Sequence, residues 1–461
     1  MFRITVARTV AALAAPVSAQ VQVPSQGSFL GGVPAGTATD QTLPLSLTGA
    51  IERALEHNLG VLTSSDRVDV ARGTRWRALS ELLPNVSAQV GETRQQINLQ
   101  SFGLTLPGLP TIVGPFNVFD ARVYVTQSVL DFKTINDARA ESHRLAAERL
   151  SYKSARDLVV LATANGYLQV LAAHARADSA NAQRETAQAL FNQAVDLRQG
   201  GLTAGIDVVR AEVQLATERQ RATAATNDLE KAKLQLARAI GLPVGQAFST
   251  TDDLPYRPAP DVTIEQALDR AARTRPDYQA ALEQVRAAEA SRRAALGEAL
   301  PSLHVNADYG TIGLTAPESR GTFSVAALAS IPIFQGGRAQ GRLIETDAEL
   351  RTRRAEAADL KAGVYYDVRT AFLDLQATGE QLQVATRARE LAASQLSQAR
   401  DRFAAGVADN IEVVQAQEAV ALASEQYIAA LYGFNFSKAS LARAMGVAET
   451  AIRDYLGGDL E

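Results

Sequence analysis

The chain has 461 residues, 46% hydrophobic and 21% charged, far more than one small core requires and unlike a disordered chain. Lys+Arg 46 against Asp+Glu 50 leaves a net charge of -4, so no basic excess is offered to nucleic acid. Cys 0 excludes disulfides, thiolate metal sites, cysteine catalysis and a lipid-modified N-terminal Cys, and the absence of an 18-residue apolar run argues against a helix-bundle membrane protein.

At the N-terminus, Arg3 and Arg8 precede the apolar stretch Val10–Ala15, and Val17-Ser18-Ala19 follows with signal-peptidase spacing. Residues 1–19 are read as a signal peptide and 20–44, rich in Gln, Gly, Pro, Ser and Thr, as a flexible leader. The rest is an internal duplication. Leu47-x-x-Ala50-Ile51-x-x-Ala54 recurs as Ile264-x-x-Ala267-Leu268-x-x-Ala271, and Leu83-Pro84 as Leu300-Pro301, both shifted by 217. Ala237-Arg238-Ala239-Ile240-Gly241 recurs as Ala442-Arg443-Ala444-Met445-Gly446, and Asp207-Val208-Val209 as Glu412-Val413-Val414, both shifted by 205. The difference of 12 places one insertion in the first copy, in the Gly/Pro-rich loop from Phe102 to Pro115. Residues 45–261 and 262–447 are therefore the two repeats, with 448–461 as a C-terminal tail.

Each repeat opens with a short helix and a second helix that ends at Leu-Pro. Period-two segments follow at about 86–98 and 118–130, then at about 303–312 and 322–333. Val86, Ala88 and Val90 alternate with Ser87, Gln89 and Gly91, and Phe323, Val325, Ala327 and Ala329 alternate with Ser324 and Ala326. Roughly ten residues per segment suits a tilted transmembrane strand. A small soluble sheet covered by helix on one side has the same pattern.

Long helices are expected at about 134–199 and 338–405, and returning helices at about 207–240 and 411–445. A 65-residue helix is a rod of roughly 100 Å. Val208, Leu215, Ala222, Leu229 and Leu236 keep a seven-residue step, as do Val413, Val420, Tyr427, Phe434 and Leu441, which implies left-handed coiled-coil packing. A dimeric coiled coil would satisfy the helices alone. Four strands, however, cannot close a transmembrane barrel, and open edges in lipid leave backbone groups unpaired, so a membrane reading requires several chains to pool strands.

The order Leu-Pro, hairpin, Ser330-Ile331-Pro332-Ile333-Phe334-Gln335-Gly336-Gly337, long helix, Gly406-x-x-x-x-Ile411-x-Val413-x-x-Ala416 resembles the TolC-like outer membrane efflux proteins. In the first copy the corresponding exit, Gln127-Ser128-Val129-Leu130-Asp131-Phe132, lacks the Pro and the Gly pair. The resemblance implies a mainly α fold with a small β part, in which a homotrimer shares a 12-stranded outer-membrane barrel that continues as a periplasmic helical tunnel. It implies a passive exit duct for drugs, other small molecules or polypeptides, partnered by a periplasmic adaptor, an inner-membrane pump and outer-membrane lipid.

No catalytic constellation, cofactor motif or metal set is visible. His57, His143, His174 and His304 are scattered, and Gly200–Gly205 and Gly336–Gly341 lack the Lys and Ser/Thr of a phosphate loop. The resemblance assigns Gly201, Leu202, Gly406 and Val407 to a tip that meets the adaptor, and Asp207, Arg210, Glu412 and Gln415 to a gate. Helix termination and helix-dipole complementarity account for the same glycines and acids. Arg210 is a candidate partner for Asp207 or Glu412, and Phe119, Tyr309 and Phe323 are candidate barrel-rim aromatics. A soluble periplasmic scaffold or adaptor is the alternative.

Overall fold

A computed structural model describes residues 29–103, 110–201, 203–254, 256–258, 261–405, 407 and 410–456. The expected signal peptide, the start of the leader, Leu202 and Gly406 lie outside the described residues. The first repeat runs β1 (Leu43–Leu45), α1 (Leu47–His57), α2 (Leu59–Ser80), β2 (Asn85–Asn98), β3 (Ile112–Leu130), α3 (Phe132–Gln199) and α4 (Gly205–Ala239). After β4 (Phe248–Thr250), the second runs α5 (Ile264–Thr274), α6 (Pro276–Gly297), β5 (Ser302–Gly313), β6 (Arg320–Ser330), α7 (Arg338–Ala404) and α8 (Asn410–Ala444), closed by α9 (Ala448–Leu456).

Local chemistry sets these boundaries. Ser46 caps α1 by accepting from Gly49 N, Asp131 caps α3 through Lys133 N and Thr134 N, and Thr263 forms a capping box with Gln266 at α5. Gly336 and Gly337, at φ +58° and +84°, turn the chain from β6 into α7, a path closed to L side chains. At the far ends of α4 and α8, Gly241 and Gly446 take matching left-handed conformations, and Leu242 N and Val447 N bond back to Ala237 O and Ala442 O. A Cβ at Gly446 would lie 2.7 Å from Arg275 Cα, so each helix end seats directly against the helix pair at the start of its repeat.

The long helices lie side by side in the order α4, α3, α8, α7, with α6 along both α3 and α7. Leu215, Ala222, Leu229 and Leu236 of α4 are buried, as are Leu350, Ala357, Val364 and Ala371 of α7. Part of α3 is long and apolar enough to cross a membrane, yet over half of it is buried among the chain's own helices. Its apolar content serves the core, and interspersed Thr, Asn and Gln kept it from reading as one apolar run.

Two large apolar clusters form the core, the first mostly of first-repeat residues and the second of second-repeat residues, with α9 contributing to both. In the first, fully buried Tyr167 of α3 places its hydroxyl 2.7 Å from Asp252 Oδ2 and 2.8 Å from Leu45 O, beside the parallel β1–β4 pair. The second gathers α5, α7, α8 and α9. Three readings change here. The leader is not free over residues 29–44, because Val33 N bonds His57 O, Ala35 N bonds Gly241 O, and Asn58 Nδ2 donates to Phe29 O. The C-terminal tail includes a helix, since Ala448, Ile452 and Leu456 form a buried i, i+4, i+8 stripe. The first hairpin's connection spans residues 99–111 rather than Phe102–Pro115, because pairing stops at Asn98 and resumes at Ile112, beyond an irregularity at Gln95/Ile97.

The linker between repeats is held by Lys438, which is fully buried in α8, donates to Arg257 O at 3.2 Å and lies 4.9 Å from the Phe434 ring centre. Burial pushes its ammonium down to about 8. The native chain therefore surrenders this proton before the unfolded chain does, at about 10.4, so stability rises with pH between the two values. In thermal unfolding across that window, Lys438→Met is expected to remove the rise.

Candidate functional site

The four-stranded sheet has the order β2-β3-β5-β6, antiparallel throughout, so the β3–β5 pairing is the seam between repeats and β2 and β6 are open edges. The register sorts the side chains into two faces. One row reads Ala88, Val123, Tyr309, Phe323 and the next Val86, Val125, Ala307, Val325. The intervening rows read Gln89, Arg122, Gly310, Thr322 and Ser87, Tyr124, Asp308, Ser324. Over these four central rows one face is thus apolar and the other polar, and among the described residues no helix packs over either.

The polar face carries a cluster that the sequence did not reveal. Arg122 Nε donates to Asp120 Oδ1 at 2.7 Å and Arg122 Nη1 donates to Asp308 Oδ1 at 3.0 Å, across the seam. Gly310, opposite Arg122, leaves room for this: a Cβ there would stand 2.6 Å from Arg122 Cγ and 2.2 Å from Ala121 O. The alternation foreshadows a polar face, but a pairing 186 residues apart leaves no local signal.

Among the rim candidates, Tyr309 and Phe323 are direct cross-strand partners and exposed. Phe119 lies four residues closer to the hairpin turns, opposite Gly313 and Glu92.

At the opposite end of the rods, two helical turns carry the tip candidates. Gly201 is left-handed, at φ +72°. Thr203 Oγ1 donates to Asp207 Oδ2 at 2.9 Å, and Arg210 Nη1 meets Asp207 Oδ1 at 3.2 Å within the same turn of α4. In the second repeat Arg402 of α7, not singled out from sequence, lies 3.5 Å from Glu412 of α8. Val407 and Gln415 are exposed. Arg210 is thus brought to Asp207 and Arg402 to Glu412.

Further along the rods, polar contacts fasten the two coils together. Arg221 of α4 grips Glu418 of α8 through both terminal nitrogens, at 2.9 and 2.8 Å, and also donates to Glu218 Oε1 at 2.9 Å. Arg176 of α3 pairs with Glu425 at 2.8 Å, and Tyr432 donates to Asn165 at 2.6 Å. Glu218 is 3% exposed, and its Oε2 is buried without a hydrogen-bond partner. Burial raises the Glu218 carboxyl above the usual range, whereas the Arg221 hydrogen bond lowers that of Glu418. Among the described residues, no three His, Asp or Glu side chains converge as metal ligands.

Comparison with known proteins gives a consistent result. The model of the outer membrane efflux protein family matches residues 50–242 and 267–447, segments that begin 217 residues apart and end 205 apart. The chain is 22% identical over 346 residues to the outer membrane protein TolC of Escherichia coli K12, covering 72% of this chain and 70% of that one. It is 24% identical over 409 residues to the toluene efflux pump outer membrane protein TtgF of Pseudomonas putida, covering 86% and 82%. The fold is similar to the Campylobacter jejuni CmeC outer membrane channel, with TM-score 0.76 and 15% identity over 93% of this chain and 95% of that one. It is likewise similar to the outer membrane protein VceC of Vibrio cholerae, with TM-score 0.73 and 18% identity over 87% and 96%.

Arg221→Met should lower stability by about 2 kcal/mol, because it strips a buried carboxylate of its cation. Glu218→Gln in the same chain should restore part of it. Alone, Glu218→Gln should abolish a fall in unfolding temperature as pH climbs from the ordinary glutamate range, about 4.3, to the raised native value.

Proposed function

The chain belongs to the outer membrane efflux protein family, and from that premise we propose that three copies close one barrel and one tunnel as the exit duct of a tripartite efflux or type I secretion assembly. It is an outer-membrane efflux channel that extends into the periplasm, which sets aside the soluble-scaffold alternative.

The open-edged sheet, apolar on one face and polar on the other, carries the trimer proposal. Unpaired backbone groups at β2 and β6 would cost several kcal/mol each in lipid, whereas β6 of one chain against β2 of the next closes the ring. Three chains supply 12 strands with the apolar face to lipid and the polar face, with Arg122, to the lumen. The helices support the same closure. Tyr366, Leu373, Val384 and Leu391 form an exposed stripe on α7, and Ile206, Val213 and Leu234 one on α4. These are the two outermost helices of the protomer, so α7 of one chain meets α4 of the next in a second coiled-coil seam. Leu391→Asp should therefore leave detergent-extracted protein monomeric by native mass, while Leu422→Asp, on exposed α8 surface outside that seam, stays trimeric.

At the tip, Asp207, Arg210, Glu412 and Gln415 form the gate, and Gly201, Leu202, Gly406 and Val407 are the residues that meet the adaptor. Arg402 belongs with the gate, as its pairing with Glu412 ties the returning helix to the outgoing one. Export through such a duct needs conduction and no bond-making group, with the inner-membrane pump as the source of energy and selection. In reconstituted bilayers Glu412→Gln should change conductance and weaken block by trivalent cations added on the tunnel side. Unchanged values for both would remove Glu412 from the gate.

A further inference from the structure

Outer-membrane barrels carry an aromatic girdle at each membrane interface, separated by an apolar band about 25 Å tall. The sheet supplies only one of the two. On its apolar face the aromatics are Phe119, Tyr309 and Phe323, and all lie in or beyond the row Ala88–Val123–Tyr309–Phe323, toward the hairpin turns. From that row to the helices the same face offers only Val, Ala, Leu and Gln, ending at Leu303 and Ala329. The seven steps from Tyr309 to Ser302 span about 23 Å along the strand, or about 18 Å of height at a tilt near 40°, so a band about 25 Å tall ends about 7 Å beyond the strand, among the connecting segments. The second interface therefore falls where the strands become helices.

That junction carries exposed apolar side chains. Ile331 continues the parity of Phe323, Val325, Ala327 and Ala329 past the end of β6. Ile333 and Phe334 are 95% and 88% exposed, and Phe132 opens α3 partly exposed. Trp76, the only tryptophan of the chain, is 59% exposed on α2, four residues before the helix ends, or about 6 Å below it. Exposed Arg338 stands four residues after Phe334, at the start of α7.

We infer that Trp76, Phe132, Ile331, Ile333 and Phe334 form the missing girdle, a collar on the connecting segments that seats in the inner leaflet of the outer membrane, with Arg338 at the phosphate level. The inference rests on the outer-membrane reading. Aromatic rings and branched side chains occupy the boundary of acyl chains and headgroups, while a guanidinium just beyond binds phosphate. The surface is continuous with the lipid-facing side of β6, which identifies lipid as the occupant. The turn made by Gly336 and Gly337 holds Ile333 and Phe334 outside the helical packing.

The test uses the full chain in vesicles of phosphatidylcholine brominated either near the headgroup end or near the methyl end of its acyl chains. Native Trp76 reports directly. Phe334→Trp and Phe323→Trp, each combined with Trp76→Phe, report the collar and the girdle on the hairpin side of the sheet. Shallow bromines should reduce Phe334→Trp emission about twofold, and deep bromines less, with Trp76 following the same order. Quenching of Phe323→Trp with none at Phe334→Trp or Trp76 overturns the collar and assigns that surface to water or to a neighbouring chain. Absence of quenching at all three positions overturns the barrel reading beneath it.

Discussion

An amide group in hydrocarbon has no water to fall back on, and the rest of this molecule follows from that constraint. Four strands from one chain leave two edges open, so the chain cannot be finished by itself. Its sheet is exposed on both faces, and its outermost long helices each show an apolar stripe with no partner in the chain. These features would be defects in a monomer. In a closed ring of three they become one continuous set of satisfied groups, with the apolar face of every strand in lipid and the polar face around water.

The duplication explains how one plan builds both parts. The two copies are joined in the sheet, where β3 pairs with β5, and along the rods, where α3 packs on α6 and α8. Each junction has its own polar fastening. Arg122 crosses the strand seam to Asp308, and Arg221 crosses between coils to Glu418. In both, a guanidinium is shared by two carboxylates, one on its own element and one in the other repeat. The shared geometry is not inherited from the duplication, because Arg122 and Arg221 have no counterparts at their shifted positions. At the helix ends inheritance is plain, since Gly241 and Gly446 make the same left-handed turn, each against the end of the short first helix of its repeat.

Much of the architecture was legible in the sequence because it is written in short-range periods. A two-residue alternation marks a sheet with unlike faces, a seven-residue step marks coiled coils, and a fixed offset marks two copies. These patterns are local, and burial of Leu215, Leu229, Phe434 and Leu441 follows from them. What escaped was set by tertiary contact. The order of strands, the Arg122 cluster and the Arg221 grip depend on pairs nearly two hundred residues apart. Arg402 was overlooked at the tip because a lone arginine in a helix rich in arginine carries no signal. The docked stretch after residue 28 looked like linker because backbone hydrogen bonds hold much of it, with Phe29 packed against the core at its start.

The unequal hairpins bear on what surrounds the finished molecule. The first hairpin strands are 14 and 19 residues long and the second 12 and 11. Repeated around a threefold axis, tall and short hairpins alternate, so the outward rim is a crown of three peaks rather than six. The tunnel side, built from helices of nearly equal length in both repeats, approaches sixfold regularity instead. One chain thus presents a near-sixfold end on the helical side and a threefold, uneven profile at the outward rim. A change in hairpin length alters the rim while leaving the helical end untouched.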